Sequence, residues 1–204
     1  MGDLVTLGSL IGGLAGHRGK PSILVLRAKS VNRWSYAKLA DQVEQLTNGL
    51  AGAGLQKGDH VAMFAENQPE WIAACLATIQ AGAVVAPIDV QLGEKALGHV
   101  IADCEARFIF TSTARVKRLK SLGLGSKLKL FLLDGDEEDK RSWRHLLSDT
   151  ATERPTVEPN DPALLIYTSG TTGKPKGVPL THANLVFQLN MLLESGLMSE
   201  DDRV

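Results

Sequence analysis

Apolar and polar positions follow a helical period in two long stretches of the first half of the chain. The stretch from Ser35 to Gly54 repeats apolar residues every three or four positions, behind a serine that can cap a helix and ahead of glycines that can end it. In "NQPEWIAACLATIQAG", Pro69 suits a first helical turn, Glu70 complements the helix dipole and Gly82 provides the exit. Both stretches are predicted to be helices with one apolar face.

Short, almost uniformly apolar runs alternate with the predicted helices. Strands are predicted in "HVAMFA", "AVVAPI", "RFIFTS" and "KLFLLD", and further helices in "EKALGHVIADC" and "ARVKRLKSL". Strands without a polar side need cover on both faces, as in a parallel sheet between helices. The predicted fold class is therefore α/β, a mostly parallel sheet flanked by helices, in which ligands usually bind beyond the carboxyl ends of the strands.

The pattern changes in the last third of the chain. The segment "SDTATERPTVEPNDP" has three prolines and no apolar period, so it is predicted to be a connector after a short helix near "SWRHLL". It leads to a strand, "ALLIYT", an extended segment, "GVPLTH", and a helix for which Asn184 is the predicted N-cap. We expect an N-terminal α/β subdomain over residues 1–155 and the start of a second subdomain over 156–204.

Charge and cysteine content exclude several classes of function. The 22 basic and 23 acidic residues give a net charge of −1, so no basic field exists to bind nucleic acid. The two cysteines lack a CxxC spacing and fit a reducing compartment as buried free thiols. No apolar run is long enough for a transmembrane segment, and the first residues lack signal-peptide features. A cytoplasmic location is predicted; a myristoylation pattern at Gly2 and Thr6 leaves peripheral attachment to a membrane open.

The candidate chemistry lies in a polar segment, "YTSGTTGKPKGV", between the last two extended runs. Its glycines let the backbone take positive φ and approach a ligand, its hydroxyls can donate hydrogen bonds, and successive N–H groups can form an anion nest. The glycines are Gly170, Gly173 and Gly177, and the hydroxyl residues are Thr168, Ser169, Thr171 and Thr172. The segment is therefore predicted to hold an anion.

Two lysines in the same segment point to a polyphosphate. Lys174 and Lys176 provide positive charge that can follow a phosphate chain as its charge shifts. The segment is not a Walker loop, because only two residues separate Gly170 from Gly173 and because Pro175, rather than a hydroxyl residue, follows Lys174. A linker with accidental lysines is the weaker alternative, since a linker would not place a proline between two lysines and a strand on each side.

The segment "YTSGTTGKPKGV", continued by "LTHANL", resembles the signature loop of the adenylate-forming superfamily, which includes acyl-CoA synthetases, luciferases and the adenylation domains of peptide synthetases. The region from "WSYAKLADQ" to "AVVAPID" is similar to the N-terminal part of that family, and "NQPEW" is most similar to fatty acyl-CoA ligases. The resemblance extends from about Trp34 to Asn184 and is loose between Lys117 and Pro162.

The resemblance implies a two-step reaction of a small-molecule carboxylic acid, expected to be a long- or medium-chain fatty acid, with ATP and coenzyme A. The acid attacks the α-phosphate of ATP to give acyl-AMP and pyrophosphate, and the thiol of coenzyme A then displaces AMP. The loop would hold the β- and γ-phosphates, the Thr168 hydroxyl would contact Mg²⁺, and Lys176 matches a more characteristic position than Lys174. The implied phosphate-binding residues are Thr168, Ser169, Gly170, Thr171, Thr172, Gly173, Lys174 and Lys176.

The remaining parts of such an enzyme are expected after Val204. They include the catalytic residues and the C-terminal domain, so the chain is interpreted as an N-terminal fragment that does not complete turnover. His182 fits the family pattern, but a structural role is favoured over a catalytic one. The open alternatives are a non-catalytic nucleotide-binding module, a relative that loads a carrier protein, and a relative that uses an aromatic, amino or small acid. The oligomeric state is not predicted.

Overall fold

A computed structural model describes residues 6–27, 30–123, 128–169 and 174–197. The strands are β1 (Pro21–Arg27), β2 (Ser30–Ser35), β3 (His60–Phe64), β4 (Val84–Pro87), β5 (Phe108–Thr111), β6 (Lys129–Leu132), β7 (Pro162–Ser169) and β8 (Pro175–Thr181). The α-helices are α1 (Leu7–Gly13), α2 (Tyr36–Gly52), α3 (Pro69–Gln80), α4 (Glu94–Asp103), α5 (Thr113–Ser121) and α6 (His182–Glu194). Short 3₁₀-helices span Leu14–His17 and Trp143–Leu146. No helix in these ranges has the length and apolar character that crossing a membrane requires.

The larger sheet has the strand order β6-β5-β3-β4-β7-β8. Strands β6, β5, β3, β4 and β7 are parallel, and β8 is antiparallel to β7. This order confirms the predicted mostly parallel sheet. Strands β1 and β2 form a separate antiparallel hairpin, which the apolar pattern did not predict, as it did not predict α1.

Helices cover both faces of the strands at the centre of the sheet. Alternate residues of β3 and β5 point to opposite faces, so the two faces build two apolar clusters. One cluster joins the sheet to α2 and α3, and includes Val61, Met63, Phe108, Phe110, Leu46 and Ala77. The other joins it to α4 and α5, and includes Ala62, Phe64, Ile109, Leu97, Val100 and Leu119. These strands are uniformly apolar because both of their faces are buried under helices, as the sequence predicted.

Helix α2 begins and ends where its sequence indicates. Its N-cap, Ser35, accepts a hydrogen bond from the backbone N–H of Lys38 at 3.1 Å, and Gly54 takes a φ of +89° just after the helix. Gly49 has another role, because a Cβ at this position would lie 1.4 Å from the carbonyl oxygen of Leu146. The missing side chain lets the second 3₁₀-helix pack directly on α2.

The predicted connector has no helix or strand, yet it is fixed to the first half of the chain. The Asn48 side chain donates to the carbonyl of Ser148 at 3.2 Å and accepts from the Thr152 N–H at 3.3 Å and from the Arg154 guanidinium at 2.8 Å. At its other end, Asp161 forms an ion pair with Lys57 at 2.7 Å. These contacts define the path of the chain from α2 to the start of β7.

Helix α6 is capped by a different residue from the predicted one. The N-cap is Thr181, whose hydroxyl accepts from the Asn184 N–H at 3.2 Å, while the Asn184 side chain accepts from the Thr181 N–H at 3.1 Å. The prediction of Asn184 as N-cap was therefore wrong. Thr181 precedes the first residue of the helix, and Asn184 is its third residue, where its side chain completes a capping box. The predicted subdomain boundary between residues 155 and 156 stays a prediction; β7, which follows it, pairs with β4.

Candidate functional site

The polar segment connects β7 to β8 at the edge of the sheet, as the predicted strand-to-strand loop. Four of the predicted phosphate-binding residues lie outside the described residues: Gly170, Thr171, Thr172 and Gly173. Thr168 and Ser169 end β7, Lys174 precedes β8, and Lys176 is its second residue. The structure thus describes the two strand ends of the loop, and for Ser169 it describes the backbone alone.

Thr168 and Lys176 are brought together by the strand pairing. They lie directly opposite each other in the antiparallel register, and both side chains are exposed. Directly opposite residues share a face of a sheet, so a hydroxyl and an ammonium group project side by side. Lys174 is also exposed, and neither lysine forms an ion pair with a described residue. The pair can therefore offer a donor and a positive charge to one anion.

This pair fits a metal-bound triphosphate. Mg²⁺ is usually held by one or two protein oxygens together with phosphate oxygens and water, and the exposed Thr168 hydroxyl could be one such oxygen. In the described part of the chain, no three His, Cys, Asp or Glu side chains group into a site that could hold a metal without a substrate.

Gly177 has a different role from the predicted one. It was expected to take positive φ and let the backbone approach a ligand, but it lies inside β8 and is not among the positive-φ glycines. It faces Tyr167 in the register, and a Cβ here would lie 3.2 Å from Cζ of Tyr167 and 3.0 Å from Cδ1 of Leu165. The prediction for Gly177 was wrong, since its missing side chain makes room for Tyr167.

Sequence reasoning missed two residues of α4 that contact the strands of the loop. Tyr167 donates a hydrogen bond to Oδ2 of Asp103 at 2.8 Å, and Nε2 of His99 lies 3.0 Å from the carbonyl oxygen of Pro175. Burial, together with this hydrogen bond to Asp103, raises the pKa of Tyr167, so its hydroxyl stays protonated and can donate. The four-residue spacing of His99 and Asp103 on one helix face was the available signal.

A second polar cluster lies at the carboxyl ends of β3 and β5. Ser112 donates to Glu66 at 2.9 Å and Arg115 donates to it at 2.8 Å. Burial alone would raise the pKa of Glu66, but hydrogen bonds from its own backbone, Arg115 and Ser112 outweigh it and lower the pKa. The chain leaves β3 towards β4 on one side and leaves β5 towards β6 on the other, as at the ligand crevice of open α/β folds. The three side chains satisfy one another.

The surroundings of His182 and the two cysteines indicate structural roles for all three side chains. Nδ1 of His182 accepts a hydrogen bond from the Leu7 N–H at 3.3 Å, and the residue is 1% exposed. Burial lowers its pKa, which favours the neutral ring that this contact needs. Burial also raises the pKa of Cys75 to about 12 and that of Cys104 to about 11, so both free thiols remain protonated at neutral pH. These contacts agree with the structural interpretation of His182.

Comparison with known proteins places the chain in a family. The sequence pattern of the AMP-binding enzyme family matches residues 14–204, and the chain belongs to this family. It is 36% identical over 168 residues to a feruloyl-CoA synthase of Amycolatopsis sp, covering 82% of this chain and 32% of that protein. It is 33% identical over 151 residues to surfactin synthase subunit 3 of Bacillus subtilis, covering 74% and 11%.

The fold is shared with solved ligase structures. A long-chain-fatty-acid-CoA ligase from Archaeoglobus fulgidus superimposes with a TM-score of 0.84 at 24% identity, over 97% of this chain and 41% of that one. This likeness confirms the α/β fold of the N-terminal part of adenylate-forming enzymes. The chain spans about a third of the length of the feruloyl-CoA synthase. The resemblance noted in the sequence is thereby confirmed, and the chain belongs to the adenylate-forming, AMP-binding enzymes.

Proposed function

We propose that this chain is the ATP phosphate-binding part of a carboxylate–CoA ligase. The observation that carries the proposal is the exposed pairing of Thr168 with Lys176 at the strand ends of the family's signature loop. A hydroxyl and a cation fixed on one face of a hairpin are suited to hold a phosphate chain in one position.

The proposed reaction has two steps. In the first, a carboxylate oxygen of the acid attacks the α-phosphorus of ATP, and the bond to the bridging oxygen breaks, so that pyrophosphate leaves and acyl-AMP remains. In the second, the sulfur of coenzyme A, after losing its proton, attacks the acyl carbon, and AMP leaves with the bonding electron pair. The products are a thioester and AMP.

In this scheme the loop acts in the first step. Negative charge grows on the departing pyrophosphate, and Lys176, assisted by Lys174, would stabilise that charge more strongly in the transition state than in bound ATP. The Thr168 hydroxyl would contribute an oxygen to Mg²⁺, which when bound neutralises phosphate charge. Ser169, Gly170, Thr171, Thr172 and Gly173 are proposed to complete the phosphate site with hydroxyl and backbone N–H donors.

The proposed division of labour leaves the catalytic residues to polypeptide that follows Val204 in the parent protein. The coverage of the feruloyl-CoA synthase supports this, because the matched region is about a third of that enzyme. We therefore propose that residues 1–204 alone form no thioester. We further propose that residues 1–155 form one subdomain and that residues 156–204 begin the next. The parent protein is proposed to be cytoplasmic.

Two questions about the substrates separate the proposal from its alternatives. A fatty acid was expected from the sequence, whereas the name of the feruloyl-CoA synthase supports an aromatic acid. The likeness to surfactin synthase subunit 3 supports a carrier protein in place of coenzyme A as the thiol acceptor. We keep coenzyme A, because the identity to the CoA synthase extends over more of the chain.

Acid-dependent exchange of labelled pyrophosphate into ATP tests the proposal. The full-length protein is assayed with a panel of fatty, aromatic, amino and small acids, and then with coenzyme A or a carrier protein as acceptor. We expect exchange only in the presence of an acid and thioester formation with coenzyme A. Exchange that does not depend on any acid would contradict adenylation. ATP binding without exchange would favour a non-catalytic nucleotide-binding module.

A further inference from the structure

Helix α4 touches both strands of the hairpin that carries the proposed phosphate site. On the entering strand, the Tyr167 hydroxyl donates to Asp103 at 2.8 Å. On the leaving strand, the carbonyl of Pro175 accepts from Nε2 of His99 at 3.0 Å. A carbonyl oxygen carries no hydrogen, so Nε2 of His99 must carry the proton of this bond. One helix therefore fixes both strands within two residues of Thr168 and Lys176.

The packing around Tyr167 explains why the contacts lie on one side of the hairpin. The Tyr167 ring packs against the apolar cluster that contains Leu97 and Ile101 of α4, and it faces Gly177 across the strands. Successive strand residues point to opposite faces, so the neighbouring pair Thr168 and Lys176 projects away from α4. The helix thus holds the rear face, and the opposite face carries the hydroxyl and the ammonium group.

Pro175 makes the contact with His99 more important than an ordinary side-chain bond. It has no N–H and gives the strand ladder no donor at the last residue pair before the loop, Ser169 and Pro175. The His99 bond to its carbonyl therefore anchors a strand residue that cannot donate to the ladder itself. It also lies between the two lysines, so a shift of Pro175 moves both charges.

We propose that His99 and Asp103 are positioning residues that hold Thr168 and Lys176 in register for the phosphates of ATP. The inference rests on the proposed function, but neither residue is expected to touch the nucleotide. Stabilisation of a growing charge depends on donors that are fixed before the reaction, so a loosened strand end weakens it even when the lysine is present.

Matched substitutions at His99 and Asp103 of the full-length protein test this role. His99→Leu removes the donor, whereas His99→Gln keeps an N–H of similar reach; Asp103→Leu removes the acceptor, whereas Asp103→Asn keeps it. Lys95→Leu, at an exposed position one turn earlier on α4, is the control. Acid-dependent pyrophosphate exchange gives kcat and the KM for ATP and for the acid, and circular dichroism checks the fold.

We expect each leucine variant to lower kcat/KM for ATP about three- to tenfold, the loss of one hydrogen bond, with the KM for the acid unchanged. The glutamine and asparagine variants should recover most of this loss, and Lys95→Leu should match the wild type. Folded leucine variants with wild-type kinetics would overturn the proposal. Equal losses in the leucine and conservative variants would also overturn it, because the hydrogen bonds would then not be the cause.

A second measurement needs no activity and keeps the two proposals distinguishable. Amide hydrogen exchange at Thr168 and Lys176 should be faster in His99→Leu than in the wild type and near normal in His99→Gln. Unchanged exchange rates would show that α4 does not anchor the strand ends. A wild-type protein without acid-dependent pyrophosphate exchange would contradict the proposed function itself. A wild-type protein that is active beside an unaffected His99→Leu variant would contradict only the positioning role.

Discussion

The centre of the large sheet and its β7–β8 edge differ in how far their side chains are buried. At the centre, Phe64, Phe108 and Phe110 are completely buried, and helices cover both faces of the strands. At the loop end of this edge, Tyr167 packs towards α4, whereas Thr168 and Lys176 remain exposed on the other side. The difference teaches that stability and chemistry are carried by different strands of one sheet. Substitutions at the two places should therefore change different measurements.

The largest effect is expected from a core truncation at the centre of the sheet. Phe110→Ala should lower the free energy of unfolding of this chain by about 3–5 kcal/mol, because it removes a fully buried ring and leaves a cavity. Val178→Ala at the edge, where the side chain is 43% exposed, should cost less than about 1 kcal/mol. Urea denaturation measures both. Similar losses at the two positions would erase the contrast between centre and edge.

The reverse effect is expected from Lys176→Ala. The side chain is exposed, so the stability should change by no more than about 0.5 kcal/mol. Adenylation in the full-length protein should nevertheless slow by about 10²–10³-fold, the usual result of removing one fixed group that stabilises transition-state charge. Lys174→Ala is the matched variant and should slow pyrophosphate exchange less. Equal effects of the two variants would mean that the lysines were ranked wrongly.

A smaller loss of stability is expected from one added methyl group where α2 packs on the second 3₁₀-helix. Gly49→Ala should destabilise by about 1–3 kcal/mol, because its Cβ would overlap the carbonyl of Leu146 and push the 3₁₀-helix away from α2. Gly52→Ala lies in the same helix with no atom near the new Cβ and should be neutral or slightly stabilising. Thermal unfolding of the pair isolates the contact, and a stable Gly49→Ala variant would contradict it.

The smallest effect concerns His182, beside the hairpin. Its pKa is lowered by burial, so below pH about 6.5 the unfolded chain binds more protons than the folded one. Stability should therefore fall with pH from about 6.5 to the lowered pKa, by at most about 1.4 kcal/mol per pH unit for one proton. Above that window this contribution is constant. His182→Asn should remove this pH dependence of the free energy of unfolding, measured by urea denaturation. The matched control, His145→Asn at an exposed position, should retain it.

The sequence predicted the centre of the sheet far better than the contacts of the edge. Uniformly apolar strands must be covered on both faces, so their runs predicted β3 to β6 inside the sheet. The helical period of the segments between them predicted the covering helices. The loop was recognised because glycines, hydroxyls and lysines together are uncommon. The hydrogen bonds that His99 donates and Asp103 accepts, and the true role of Gly177, depend on which strand faces which helix. That arrangement is tertiary, and no local pattern contains it.

The connector before β7 has a consequence for where the chain can be lengthened. Exposed loops usually accept inserted residues, because their backbone bonds to water and can be rearranged cheaply. Between Ser148 and Asp161 the chain is instead fastened at one end by Asn48 and at the other by Lys57. An epitope tag inserted into the connector should therefore break these contacts and displace the start of β7, and with it the hairpin that carries the proposed phosphate site.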